Sequence, residues 1–329
     1  MPAELAFSAG DLARMRFAVS PMWEVGPSFR LLSSGVAHPV HRPWIEQVRP
    51  RLTAAGLDRG RLAELIPPSG YVPDFLNPTP PGPAPTLAAE LAGIVAAPVA
   101  AVRRDLDRLR HERGGLGPRA EALYADPRAR LVRVAEEIEV YWQLALAPYW
   151  ARIREVLDAD VFHRARQVAE RGAGRVLDEL HPSISWHDDA LRLARRERTL
   201  SRRTAGAGLL LIPSVFTGPD PFTRVNPPEP PQLAYPARGI GALWTPRPVT
   251  GTGALAAVLG RSRTLLLTEL HTPASTTELA HRTGLSPAGV SQQLTALRDA
   301  GLVTAHRVGR TVLYARTSTA ESFLTSTPR

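Results

Sequence analysis

Residues 276–316 read Thr-Thr-Glu-Leu-Ala-His-Arg-Thr-Gly-Leu-Ser-Pro-Ala-Gly-Val-Ser-Gln-Gln-Leu-Thr-Ala-Leu-Arg-Asp-Ala-Gly-Leu-Val, followed by Thr-Ala-His-Arg-Val-Gly-Arg-Thr-Val-Leu-Tyr-Ala-Arg. Apolar residues recur first at helical spacing and then in alternation, and glycines separate the segments. This pattern predicts a helix, a tight turn, a second helix and a β-hairpin.

The first helix of this stretch has recognisable ends. Thr276 or Thr277 is expected to cap its N-terminus, where Glu278 would favour the positive end of the helix dipole. Gly284 is expected to end the helix, because glycine tolerates the left-handed conformation of a C-terminal cap.

The second helix begins at Ser286, a capping residue, with Pro287 at its first position. Val290, Leu294 and Leu297 follow at i, i+4 and i+7 and predict a buried stripe. The opposite face carries small or amide side chains, which can reach base edges and phosphates. The predicted DNA contacts of this helix are Ser286, Ala288, Gly289, Ser291, Gln292, Gln293 and Thr295.

The hairpin is expected to form a wing. Residues 303–307 and 311–315 alternate as two strands around Gly309 and Arg310. A helix, turn, helix and wing in this order are typical of a winged helix-turn-helix, which places its second helix in the major groove of DNA. The predicted DNA contacts of the wing are His306, Arg307, Arg310 and Thr311.

Composition limits the class of protein. The 329 residues carry a formal net charge of +9, and all 40 basic residues are Arg, so nucleic acid is a candidate partner. The chain has no cysteine, which excludes disulfides and thiolate metal sites. We find no signal peptide, and the most apolar stretch, residues 87–102, falls short of a membrane span. A cytoplasmic protein without a membrane partner is therefore expected.

The fold class predicted from the whole chain is α+β. Residues 1–180 are expected to form a mainly helical regulatory domain, with one short helix running from Asp11 to Val19. Residues 181–248 are expected to extend that domain with short strands in one small sheet, including a segment from Ile240 to Trp244, and with a Pro-rich linker. Residues 252–329 are expected to form the winged helix-turn-helix.

Residues 252–318, about a fifth of the chain, resemble the arsenic-repressor (ArsR/SmtB) family of bacterial transcription regulators. The N-terminal part is similar to a long helical-plus-β domain that is fused to such winged helices in actinobacterial regulators. The C-terminal resemblance rests on residues 260–270, 277–280, 284–286, 290–303 and 307–314, and the N-terminal one on residues 7–14, 18–24 and 210–216.

The resemblance implies a homodimer that places two recognition helices about one helical turn apart on a palindromic operator in double-stranded DNA. It makes residues 254–259 and the helix after Thr319 the expected pairing elements. Cysteine pairs, or His and Asp on the last helix, bind metal in sensing relatives; neither is present here, so no metal and no cofactor are expected. The recognition face is nearly uncharged, so further phosphate contacts are expected from residues outside it. The candidates are Arg261, Arg263, Thr277 and Arg282. The alternative is that these are ordinary surface residues.

Other interpretations carry less support. His38 with His41, and His181 with residues 187–189, have metal-like spacing but incomplete ligand sets. No catalytic motif appears, so an enzyme is not expected. Two alternatives remain open: a small-molecule-binding or enzymatic N-terminal domain fused to a winged-helix anchor, and a winged helix that only dimerises. A sensor needs an input, so an unidentified small-molecule effector is a further partner to consider. Six aromatic residues could line its pocket, although we favour core packing for Trp23, Trp44, Tyr141, Trp142, Tyr149 and Trp150.

Overall fold

A computed structural model describes residues 3–6, 9–187, 190–193, 207–245 and 252–325. Over these residues the fold is α+β, as predicted: helices dominate and three small sheets accompany them. The chain forms two compact units, each assembled from three stretches of sequence. The first unit comprises Met1–Val36, Arg59–Glu136 and Val156–Ile240. The second comprises Ala37–Asp58, Glu137–Glu155 and Gly241–Arg329.

The N-terminal half is helical, as its periodicity predicts. Local hydrogen bonds stabilise helix starts: the Ser20 hydroxyl, just before α2, accepts from the Trp23 amide at 3.3 Å, and the Thr86 hydroxyl caps α5 by accepting from the Ala89 amide at 3.2 Å. The helices in chain order are α1 (Ala9–Ala13), α2 (Met22–Ser33), α3 (Arg42–Ala54), α4 (Arg61–Leu65), α5 (Leu87–Val95), α6 (Val99–Arg113), α7 (Pro118–Ala125), α8 (Pro127–Ala145), α9 (Trp150–Arg171) and α10 (Ala173–Asp178).

Two sheets belong to the first unit. Their strands are β1 (Ala3–Ala6), β2 (Arg16–Phe17), β3 (Ile184–His187), β4 (Ala190–Leu193), β5 (Leu210–Ser214), β6 (Phe222–Arg224) and β7 (Gln232–Pro236). One sheet is antiparallel, in the order β1-β4-β3, and the other has the order β2-β5-β7-β6, in which only β6 is antiparallel to its neighbour. All five residues of β5 are buried, as expected for a parallel strand covered on both faces.

Three local predictions were wrong. The helix expected from Asp11 to Val19 ends at Ala13, because residues 16–17 pair with β5 instead and this tertiary pairing outweighs helix propensity. The single sheet expected within residues 181–248 is two sheets, because β3 and β4 pair apart from β5, β6 and β7, and each sheet gains one strand, β1 or β2, from the N-terminus. The segment expected to be a strand at Ile240–Trp244 contains a 3₁₀ turn, Ile240–Ala242.

The second unit contains the predicted winged helix. Its helices are α11 (Thr252–Leu259), α12 (Arg261–Glu269), α13 (Thr276–Thr283), α14 (Pro287–Asp299) and α15 (Ser318–Thr325). The short strand β8 (Ala274–Ser275) and the hairpin of β9 (Val303–Val308) and β10 (Thr311–Arg316) form an antiparallel sheet in the order β8-β10-β9. The largest core side chains come from α12, α13, α14, α15 and the segments that follow α12 and α14: Leu266, Leu267, Leu270, Leu279, Val290, Leu294, Leu297, Leu302 and Leu324.

Upstream segments complete this unit. Trp44 of α3 donates from Nε1 to the carbonyl of Ala145 at 2.9 Å, and the Tyr149 hydroxyl donates to Gln47 at 2.9 Å. A 3₁₀ turn, Ala147–Tyr149, packs against both wing strands. The compact units are thus discontinuous in sequence, whereas the division into residues 1–180, 181–248 and 252–329 stays a prediction.

Aromatic side chains fill the interior, as we favoured. Trp44 and Tyr141 have no exposed surface, Trp23, Trp142 and Tyr149 are buried, and Trp150 is half-buried. Trp44 stacks with Trp244 at 6.4 Å between ring centroids. A cleft beside these two rings has a volume of about 40 Å³, room for a few water molecules only. The five buried aromatic side chains therefore act as core residues.

Candidate nucleic-acid interface

The N-terminus of α13 is fixed by a capping box. The Ser275 hydroxyl accepts from the Glu278 amide at 3.2 Å, and the Glu278 carboxylate accepts from the Ser275 amide at 2.6 Å. The cap is therefore Ser275, and the assignment to Thr276 or Thr277 was wrong. Partial burial opposes ionisation of Glu278, yet these hydrogen bonds and nearby Arg282 hold the pKa of its carboxyl below the ordinary value.

The turn between α13 and α14 follows the prediction. Gly284 ends α13 with a φ of +71°, and its amide donates to the carbonyl of Ala280. Ser286 caps α14 by accepting from the Gly289 amide at 3.2 Å, with Pro287 in the first turn. The cap at Gly284 ends α13, and the cap at Ser286 begins α14.

One face of α14 is buried and the other is available. Val290, Leu294 and Leu297 are at most 1% exposed, which confirms the predicted stripe. On the opposite face the exposed residues are Ser286, Ala288, Ser291, Gln292 and Thr295, and the half-buried ones are Gly289 and Gln293.

Internal hydrogen bonds distinguish the residues of this face. Gln293 accepts from Nε of Arg263 at 2.9 Å, and the Thr295 hydroxyl donates to the carbonyl of Ser291 at 3.0 Å. The Ser286 hydroxyl serves the helix cap. Gln292 is the exposed long side chain of this face, whereas its neighbour Gln293 is half-buried.

The wing has the expected two-residue turn. Thr311 pairs with Val308 across Gly309 and Arg310, and Gly309 adopts a φ of +60°, as a tight hairpin requires. Arg307, Arg310 and Thr311 are exposed. The predicted wing therefore presents two guanidinium groups to solvent.

His306 differs from the other predicted wing contacts. Its Nδ1 lies 3.2 Å from Oε1 of Gln143 in α8, and its Nε2 lies 2.8 Å from the Thr304 hydroxyl. Burial lowers the pKa of His306, which favours the neutral ring. The His306 side chain therefore contacts α8, a helix from the N-terminal part of the sequence, and connects the wing to it.

The predicted phosphate contacts are all exposed but do not form one cluster. Arg261 and Arg263 open α12, whereas Thr277 and Arg282 lie on α13. Thr277 shares a groove of about 1010 Å³ with Arg310 and Thr311 of the wing. Arg51 of α3 lines the same groove. Sequence reasoning missed Arg51, because nothing local in α3 connects it to the wing.

The metal candidates have structural explanations. The rings of His38 and His41 lie 4.6 Å apart, and Nδ1 of His41 accepts from Nε1 of Trp244 at 3.0 Å. His181 contacts the Ser183 hydroxyl and the carbonyl of Pro219, both at 2.8 Å. Residues 188 and 189 lie outside the described residues. Within the part of the chain that the structure describes, no group of three or more His, Asp or Glu side chains could hold a metal ion.

Comparison with known proteins agrees with this geometry. Residues 264–305 match the bacterial regulatory protein arsR family. The C-terminal domain belongs to the ArsR family. The HTH-type transcriptional regulator NmtR of Mycobacterium tuberculosis (strain ATCC 25618 / H37Rv) is 41% identical over 61 residues, or 18% of this chain. The chain thus spans about half (51%) of the length of this curated relative.

A second stretch of the chain also matches a family. Residues 95–241 match a family of unknown function (DUF5937), so a long N-terminal domain accompanies the ArsR-family domain, as the resemblance implied. No solved structure matches the chain. Among the described helices, none combines the length and the apolar character needed to cross a membrane.

Proposed function

We propose that this protein is a DNA-binding transcriptional regulator of the ArsR type, which reads its site through α14 and grips the flanking backbone through its wing. The observation that carries the proposal is the division of α14 into a buried apolar stripe and an exposed face of small and amide side chains. Amide and hydroxyl groups read base edges, whereas arginines on the wing suit phosphates.

The proposed regulator is a homodimer on a palindromic operator. In support, α11 packs against α15, and together they leave apolar side chains exposed: Val258 is 81% exposed and Phe323 is 50% exposed. Exposed apolar residues on adjoining helices are typical of a surface that is covered in an oligomer. A dimer would present two copies of α14 to successive major grooves.

The proposed regulator works without the cysteine metal site of sensing relatives, since the chain contains no cysteine. We also assign it no cofactor. We place it in the bacterial cytoplasm and assign it no catalytic activity. Its input, under this proposal, is an unidentified small molecule that acts through the N-terminal domain.

The test is DNA binding by the purified full-length chain. Fluorescence anisotropy should show saturable binding to a duplex from the region upstream of its own gene, and the affinity should fall as salt rises. A scrambled duplex of the same composition serves as the control and should bind more weakly. A dimeric sample without salt-dependent binding would overturn the proposal. Sequencing the bound DNA with and without a metabolite panel then identifies operator and effector.

A further inference from the structure

The groove beside the wing has a wall that the ArsR-type domain does not supply. The first turn of α13 (Ser275–Glu278) and the wing residues 308–314 form two of its sides. Arg51, Ala54 and Ala55, from the end of α3, line it as well. All three segments belong to the second compact unit, although α3 comes from the N-terminal region of the sequence.

The chemistry of the groove favours an anion. Arg51 and Arg310 contribute two guanidinium groups, and Glu278 contributes one carboxylate, which the capping box already engages. The exposed Thr277 hydroxyl lies at the start of α13, where the helix dipole is positive. The lining of the groove therefore carries an excess of positive charge.

Arg51 is held at the groove by neighbouring side chains. Burial raises the pKa of Tyr149 to about 12, while the neighbouring Arg51 guanidinium acts in the opposite direction. Arg51 also lies near enough to Glu278 to help lower the pKa of that carboxyl. One guanidinium nitrogen, Nη1, is buried and faces away from solvent. The side chain as a whole is half-buried, so its remaining surface is available to an anion in the groove that it lines.

We propose that the groove is a binding site for the phosphate backbone of DNA and that Arg51 is one of its phosphate contacts. The inference rests on the proposed function and extends the DNA interface to a helix of the N-terminal region. A volume of about 1010 Å³ far exceeds what a single phosphate ion needs, and the groove adjoins the exposed Arg310 of the wing. An extended polyanion that also contacts the wing matches this size, charge and position.

The test compares three variants of the full-length protein. Arg51→Gln removes the charge and retains much of the side-chain length, and Arg51→Lys restores the charge. Arg42→Gln is the matched control, because Arg42 lies on the same helix, is 75% exposed and pairs with Glu46 rather than with the groove. Binding to the upstream duplex is measured by anisotropy from about 50 to 200 mM salt, and thermal unfolding confirms that each variant is folded.

Arg51→Gln should bind roughly five- to ten-fold more weakly near 0.1 M salt, and its salt slope should fall by about one. Arg51→Lys should recover the slope, which a purely structural role for the guanidinium would not predict. Arg42→Gln should behave as wild type.

Two results would overturn the inference while leaving the proposed function intact. If Arg51→Gln binds as tightly as wild type while Arg310→Ala is weakened, the groove holds no phosphate at Arg51. If Arg51→Gln binds more tightly, α3 obstructs the DNA. An absence of salt-dependent binding by the wild-type chain would instead overturn both proposals.

Discussion

Arg263, in the first turn of α12, donates from Nε to Oε1 of Gln293 in α14 at a distance of 2.9 Å. This bond makes two adjacent glutamines unequal. Gln293 is half-buried and its amide oxygen is occupied, whereas Gln292 is exposed beside it. The residue pair that looks equivalent in the sequence therefore has one member free for base readout and one that ties α14 to α12.

The first prediction concerns these two residues. Gln292→Ala should relax the sequence preference of the protein at one base pair, at a cost of about 1–3 kcal/mol for the preferred base. Gln293→Ala should change discrimination less, because its amide oxygen already serves Arg263. Anisotropy titrations against a set of single-base operator variants measure both. Equal loss of discrimination in the two variants would contradict the assignment.

A second prediction concerns the wing. Arg310→Ala should weaken binding to all duplexes alike and reduce the salt slope by about one, because a phosphate contact carries no base information. Arg166→Ala is a matched control: it removes the same charge from an exposed arginine of α9, 71% exposed and paired with Glu170. A sequence-dependent loss in Arg310→Ala would show that the wing reads bases.

The third prediction tests the proposed pairing helices. Val258→Glu should shift the protein from dimer to monomer in light scattering and lower its operator affinity, because a carboxylate would be buried in an apolar interface. Phe162→Glu is the control, since Phe162 of α9 is 72% exposed and lies in the other compact unit. A Val258→Glu variant that remains as dimeric as wild type would place the interface elsewhere.

A fourth prediction follows from a buried carboxyl in the first unit. Glu90 is 1% exposed; it accepts from the Ser20 hydroxyl at 2.6 Å and from the Met22 amide at 2.9 Å. Burial raises the pKa of Glu90 from 4.5 to about 7, against the effect of these bonds. The protonated form therefore stabilises the fold fully below pH 4.5, and this contribution is lost as the pH rises through 7.

The side chain of Glu90→Gln is uncharged at every pH, so this variant should not lose stability as the pH rises through 7. Its free energy of unfolding relative to wild type should rise by up to about 3 kcal/mol between acidic and mildly alkaline pH. Urea unfolding at several pH values measures the difference. Glu46→Gln, which makes the same change at an exposed side chain, is the control. A pH-independent difference for Glu90→Gln would mean that Glu90 does not titrate in this range.

The winged helix could be predicted because local rules determine it. Ser286, Gly284 and the stripe of Val290, Leu294 and Leu297 act within a few residues of one another, and the structure has each as expected. The cap of α13 was missed although its signal is local. Three hydroxyl residues stand in a row at 275–277, and the spacing of Ser275 to Glu278 is what selects the capping box.

Other features depend on contacts between distant parts of the chain. Arg16 and Phe17 form a strand because Leu210 and Leu211 lie beside them, and a helix-like local pattern cannot reveal that pairing. The same limit applies to Arg51, which reaches the groove through the packing of α3, and to His306, whose partner Gln143 lies in α8. Periodicity predicts one helix or strand at a time, whereas the contacts of these residues depend on which other elements pack against that helix or strand.

The mixed origin of the second unit has a consequence for how such a protein can be recombined. A chimera that exchanges residues 252–329 alone would carry α14 and the wing into its new host. It would leave behind Arg51, which lines the groove, and the turn Ala147–Tyr149, which packs on the wing strands. It would also leave behind Gln143, which contacts His306. Transplanting the second compact unit intact therefore requires three inserts, residues 37–58, 137–155 and 241–329.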